Sequence, residues 1–212
     1  TLNELQMLEN NAVASLAEVD NHKPDYLNAI GERTAAFEPL DKLVTRVLRV
    51  AETLDLNETA LKALKELVRR IHGTRAVPKK TTTNSNDPNT DPANEHKYVS
   101  VSERSFTQRI EHFAQIIALL RAEPKYAPYE QDLTCNALEL FHNKMVTTNQ
   151  AAEIASYPLG TARNHRNQIL YADTTGLVDV AHDVKKYVRG ALGQDSNEYK
   201  MIQKLEFKKT KV

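Results

Sequence analysis

The stretch Leu138-Glu-Leu-Phe-His-Asn-Lys-Met-Val-Thr-Thr-Asn-Gln-Ala-Ala-Glu-Ile-Ala-Ser-Tyr-Pro-Leu-Gly-Thr-Ala-Arg-Asn-His-Arg-Asn-Gln-Ile169 decides the fold. Leu138, Phe141, Met145, Thr148, Ala152, Ala155, Leu159, Ala162, Arg166 and Ile169 follow one another at alternating steps of three and four. Side chains so spaced share one face of a helix, and a strand would need a period of two. The run predicts one long helix over 129–171, bent at Pro158. Two other readings compete with it. Thr147-Thr-Asn-Gln150 has the form of a capping box that opens a new helix, and Pro158-Leu-Gly160 has the form of a true break.

Outward from this run the same period recurs. Phe106, Ile110, Phe113, Ile117 and Leu120 mark a preceding helix capped by Ser102 and ended near Pro124. Leu177, Ala181, Val184 and Val188 mark a following one, introduced by Asp173-Thr-Thr-Gly176. A capping pattern predicts a short helix near 196–204, and an extended or frayed end beyond it. In the first half Leu5, Leu8, Ala12, Leu16 and Val19 form one stripe. A second runs from Tyr26 through Ile30, Phe37, Leu40, Val44, Val47 and Ala51 to Leu54, with Arg33 its only polar intruder. Ala60, Leu64, Leu67 and Ile71 form a third, with Asn57 as cap and Gly73 as stop. Pro24 fits the first turn of the second helix, and Pro39 predicts a kink or a restart.

Each half therefore reads as a short helix, a long proline-bent helix and a short helix. The fold class is all-α: an antiparallel helical bundle with long bent helices, built as two tandem three-helix units. The units are residues 1–76 and 99–212, joined by a linker at 77–98 that is rich in Pro, Thr and Asn and nearly devoid of apolar residues. An offset of 117 residues aligns 43–73 with 160–190, matching Arg46 to Arg163, Arg49 to Arg166 and Gly73 to Gly190, the pattern an internal duplication leaves. Each buried Leu or Phe contributes about 1.5–3 kcal/mol, so the two units are expected to pack as one bundle.

The 212 residues carry 28 basic and 28 acidic side chains, which argues against a strongly basic nucleic-acid binder. Residues 1–76 hold 10 basic and 12 acidic groups and residues 99–212 hold 15 and 13, so the basic clusters near Arg69, Lys185 and Lys208 are diluted. No helix-turn-helix signature is present, and no nucleic-acid partner is expected. No stretch reaches the ~18 apolar residues that span a bilayer, and no basic-then-apolar leader is visible at Thr1. Cys135 is the one cysteine, which excludes an internal disulfide. These features predict a reduced, cytoplasmic setting and no membrane partner.

Catalytic motifs are missing: no P-loop, dinucleotide fingerprint, Gly-x-Ser-x-Gly elbow or His-Glu-x-x-His occurs, and no cofactor is implied. Glu139-x-x-His142 and Asp179-x-x-His182 share the spacing that bundle-core di-iron sites use, but no acidic residue lies on an apolar stripe to complete such a site. Ala162-Arg-Asn-His-Arg-Asn-Gln168 is the densest polar run on a helix. Arg163, His165, Arg166 and Tyr171 are its candidate ligand-binding residues, because guanidinium forks match anionic oxygens. A register-setting polar layer of Arg166, Asn167 and a carboxylate is the plainer reading of the same run.

Residues 162–171, Thr175–Gly190 and Ser196–Lys200 resemble uncharacterised bacterial all-helical proteins of unknown function, over about 40 residues. The resemblance implies a helical bundle and supplies no activity, cofactor or catalytic residue. The reading that best fits the sequence is a non-enzymatic protein-protein interaction or scaffold module, which binds a protein partner or a second copy of itself. The alternatives are a small-ligand or anion-binding bundle using Arg163–Asn167, and a bundle-core metal enzyme.

Overall fold

Apolar residues at steps of three and four fold as helices, although Leu5 and Leu16 of the first stripe are exposed. The structure, a computed structural model, describes residues 1–73 and 105–209, and among these all regular structure is helical. The predicted linker 77–98 and the predicted cap Ser102 lie outside the described residues. In chain order the helices are α1 (Leu2–Phe37), α2 (Leu40–Thr53), α3 (Glu58–His72), α4 (Phe106–Ala122), α5 (Cys135–Tyr171), α6 (Leu177–Leu192) and α7 (Asn197–Gln203), with a 3₁₀ turn at Gln131–Leu133. No helix among the described residues is long and apolar enough to cross a membrane.

One proline reading changes, at Pro24, and the leading one at Pro158 holds. Pro24 does not open a helix; α1 runs through it for 36 residues. Pro158 likewise lies inside α5, whose 37 residues are unbroken. Both prolines are exposed, and so are Asp20 and Ile154, the residues whose carbonyls lose a donor. Water can satisfy those carbonyls, so a bend suffices and the helix continues. Pro39 does mark a restart: α1 stops at Phe37 and Pro39 caps α2 with φ −74°. The capping box at Thr147 opens no helix, because the hydroxyls of Thr147 and Thr148 donate back to the carbonyls of Asn143 and Lys144. The long helix starts at Cys135, six residues later than read, after the 3₁₀ turn.

Caps explain the other ends. The Asn57 side chain accepts from Thr59 N, and Gly73 closes α3 in the left-handed region at φ 66°. Ser105 caps α4 and Ser196 caps α7. Thr174, at φ 64°, turns the chain between α5 and α6, as Asp55, at φ 52°, does between α2 and α3. These two residues stand 119 apart, and the glycines closing α3 and α6, Gly73 and Gly193, stand 120 apart.

The chain divides into two compact units that follow helix segments and not the order of the halves. One is Arg33–Asn149; the other is Thr1–Glu32 with Gln150–Val212. Because α1 and α5 are uninterrupted, each contributes a segment to both. Unit 33–149 holds the main core. Leu40, Val44, Val47 and Ala51 of α2 pack with Leu64, Val68 and Ile71 of α3, Phe113, Ile116 and Leu120 of α4, and Leu138 and Met145 of α5. The second unit buries a smaller cluster, Val19, Leu159 and Ala162, with Tyr26 against it.

Among the described residues the tail after α7 forms no regular element but is fastened to α6. Lys185 Nζ donates to the carbonyls of Gln203 and Leu205 at 3.2 and 2.7 Å. His182 Nε2 lies 3.1 Å from the Phe207 carbonyl. Lys209 pairs with Asp173 and Asp179.

Candidate functional site

The helix keeps Arg163 and Arg166 on one face, about 60° apart, and separates His165 and Tyr171 from them. At 100° per residue, His165 projects about 160° from Arg163, and Tyr171 about 140° from Arg166. The His165 ring meets Glu18 of α1, Nδ1 to Oε2 at 2.9 Å. Arg166, half-buried, donates from Nε and a terminal nitrogen to Asn167 Oδ1 at 3.2 and 2.8 Å. Arg163 is exposed and Tyr171 half-buried. Neither arginine has a carboxylate partner among the described residues.

The carboxylates of both carboxylate-x-x-His pairs have structural partners, whereas His142 stacks on Phe113 with its Nε2 buried and without a hydrogen bond. Glu139 binds Arg121 at 2.6 Å, and the guanidinium holds its carboxyl below the usual carboxylate range. Asp179 accepts from the backbone N–H of Thr174 and from Lys209, and both hold its carboxyl low. No cluster of three metal-ligating side chains occurs among the described residues. Cys135 is half-buried at the start of α5, and burial pushes its thiol up.

Arg33, the polar intruder of the second stripe, starts an alternating stack in unit 33–149. Its guanidinium lies over the Phe106 ring, 4.1 Å from the centroid, and donates to Asn149 Oδ1 at 3.4 Å. Phe106 meets Phe37 edge-on at 4.8 Å. Arg109 lies 5.8 Å over Phe37 and donates to Asp41 Oδ1 at 2.7 Å. Aromatic faces and one carboxylate thus accommodate two cations inside an otherwise apolar interface.

The same unit carries an open groove of about 450 Å³ between α2, the 3₁₀ turn and α5. Pro39, Leu43, Ala137 and Phe141 supply its apolar surface, and Lys42, Arg46, Asp132 and Lys144 its polar edge. Arg46 and Asp132 pair with each other, which raises the one and lowers the other. Lys42 and Lys144 are exposed and have no partner among the described residues, so the edge carries two uncompensated positive charges. Arg46 and Phe141 enter the sequence reading only as a repeat match and a stripe position, and Lys42, Asp132 and Lys144 have no role in it. Lys42 and Arg46 look like solvated charges opposite Val44 and Val47, and their neighbours come from 86 to 102 positions further along the chain. The spacing of Lys42 and Arg46 by one helical turn was the only local signal.

Comparison with protein-family models, with curated proteins and with solved structures finds no match, so the functional reading rests on the residues of this chain alone.

Proposed function

We propose that the chain is a non-enzymatic protein-interaction module that receives an acidic, amphipathic helix of a protein partner in the groove of unit 33–149. The groove carries the argument: its apolar floor of Leu43, Ala137 and Phe141 stands beside two unpaired lysines, Lys42 and Lys144. Such a surface matches a helix with apolar residues at i, i+3 and i+4 flanked by carboxylates. A non-enzymatic role is also supported by the side chains that looked most chemical. His165, Glu139, Asp179 and His182 are engaged by Glu18, Arg121, Lys209 and the Phe207 carbonyl. A cytoplasmic setting goes with this proposal, as does the absence of a cofactor and of a nucleic-acid partner.

The test is titration of a labelled synthetic helix with Leu at those positions and Glu beside them. Saturable binding that Lys42→Glu with Lys144→Glu weakens at least about tenfold supports the reading. Equal binding by wild type and double variant, or none by either, defeats it. One observation favours a second reading, anion binding at Arg163–Asn167: Arg163 and Arg166 lack carboxylate partners among the described residues. Phosphate-induced NMR shifts confined to 162–167, lost in Arg166→Gln, are its signature.

A further inference from the structure

Helix α1 carries a second seam beside its buried one. Leu5, Glu9, Leu16, Lys23 and Leu27 are all exposed, the three leucines at 38%, 46% and 54%. At 100° per residue they fall within about 40° of one another, and about 70° round from buried Ala12, Ser15 and Val19. The face spans about 33 Å at 1.5 Å per residue. Isolated exposed leucines are ordinary, but three in one line over six turns are not. The unit they belong to buries only a small cluster of its own.

The order of residues identifies the occupant. Their spacing is four, seven, seven and four, symmetric about Leu16. Read backwards, Leu-Glu-Leu-Lys-Leu becomes Leu-Lys-Leu-Glu-Leu. We infer that this face pairs with the same face of a second copy of the chain, antiparallel about a two-fold axis at Leu16. Leu16 then meets Leu16 of the second copy, Leu5 meets Leu27, and Glu9 meets Lys23, each of the last two contacts occurring twice. Lys23 has no partner among the described residues, and Glu9 accepts only from Gln6 of its own helix, so both charges are available. A parallel pair would set Glu9 against Glu9 and Lys23 against Lys23, and like charges at one level oppose association. The partner helix in the groove and this self-pairing use residues of different units, so each stands without the other.

The experiment is sedimentation of the full chain over a range of micromolar concentrations. Wild type is expected to dimerise reversibly. Glu9→Lys and Lys23→Glu, each alone, place like charges opposite one another at both sites and weaken dimerisation by about tenfold or more. The double variant E9K/K23E restores it, and an equimolar mixture of the two single variants forms the mixed dimer. Helical content by circular dichroism stays constant throughout, since both residues are exposed. A wild type that stays monomeric overturns the inference, as does a dimer that E9K leaves unchanged. Variants Lys42→Glu and Lys144→Glu leave the dimer intact, so loss of peptide binding and loss of pairing are read separately.

Discussion

The guanidinium of Arg33 stacks 4.1 Å from the centre of the Phe106 ring, and its Nε is buried without a hydrogen bond. A cation kept inside an apolar stripe loses hydration, and the ring face replaces part of it. The pair fastens the end of α1 to the beginning of α4. A double-mutant cycle of Arg33→Met and Phe106→Leu, followed by urea denaturation, is expected to give a coupling of about 1 kcal/mol. Additive effects would show that the stack contributes no more than its area.

The turn between α5 and α6 calls for opposite substitutions two residues apart. Thr174 is β-branched and holds φ at 64°, so Thr174→Gly is expected to raise stability by about 0.5–1 kcal/mol. Its N–H, which donates to Asp179, is kept in that variant. At Gly176 a Cβ would stand 2.6 Å from backbone N and O of Ala172. Gly176→Ala therefore displaces the chain and lowers stability by about 2 kcal/mol or more. Thermal unfolding of the two variants is expected to shift in opposite directions.

Glu66 accepts from Arg69 and Arg70, which bring its carboxyl down from 4.5 to about 2. The folded value lies below the unfolded one, so the contribution to stability is full above about pH 4.5. It is lost as pH falls towards 2. Because the side chain is 44% exposed, solvent screening limits it to less than about 1 kcal/mol. Carbon-detected NMR titration reads the midpoint directly. In Glu66→Gln the loss of stability between pH 4.5 and 2 is expected to be smaller than in wild type.

The tail after α7 is held by side chains and one ring. Lys185→Met removes the donor to the carbonyls of Gln203 and Leu205. Hydrogen exchange is expected to rise about tenfold in 203–209, with the core of unit 33–149 unchanged. Unaltered exchange would show that the Phe207 and Lys209 contacts suffice.

Side chains that satisfy a local rule were legible. Leu40, Val44, Val47 and Ala51 are buried as their period requires, and Asn57 and Gly73 close α3 because a side-chain acceptor and a left-handed glycine do so anywhere. Pro24 was misread because the outcome depends on which way the proline faces, and that is a property of the packed helix. The start of α5 differs because Gln131–Leu133 forms a 3₁₀ turn, and three residues are too few for a period of about 3.0 to be told from one of about 3.6. The groove was invisible for another reason. Lys42 and Lys144 each read as a solvated charge, and only the fold sets them on one edge with Phe141.

Cys135 has a practical consequence. Alkylating reagents attack the thiolate, and a thiol held protonated by burial offers little of it at neutral pH. A second cysteine engineered at an open position such as Tyr129 or Leu140 will take up a maleimide dye ahead of it. Fluorescent derivatives of this protein can therefore be made site-selectively while its native sulfur stays in place.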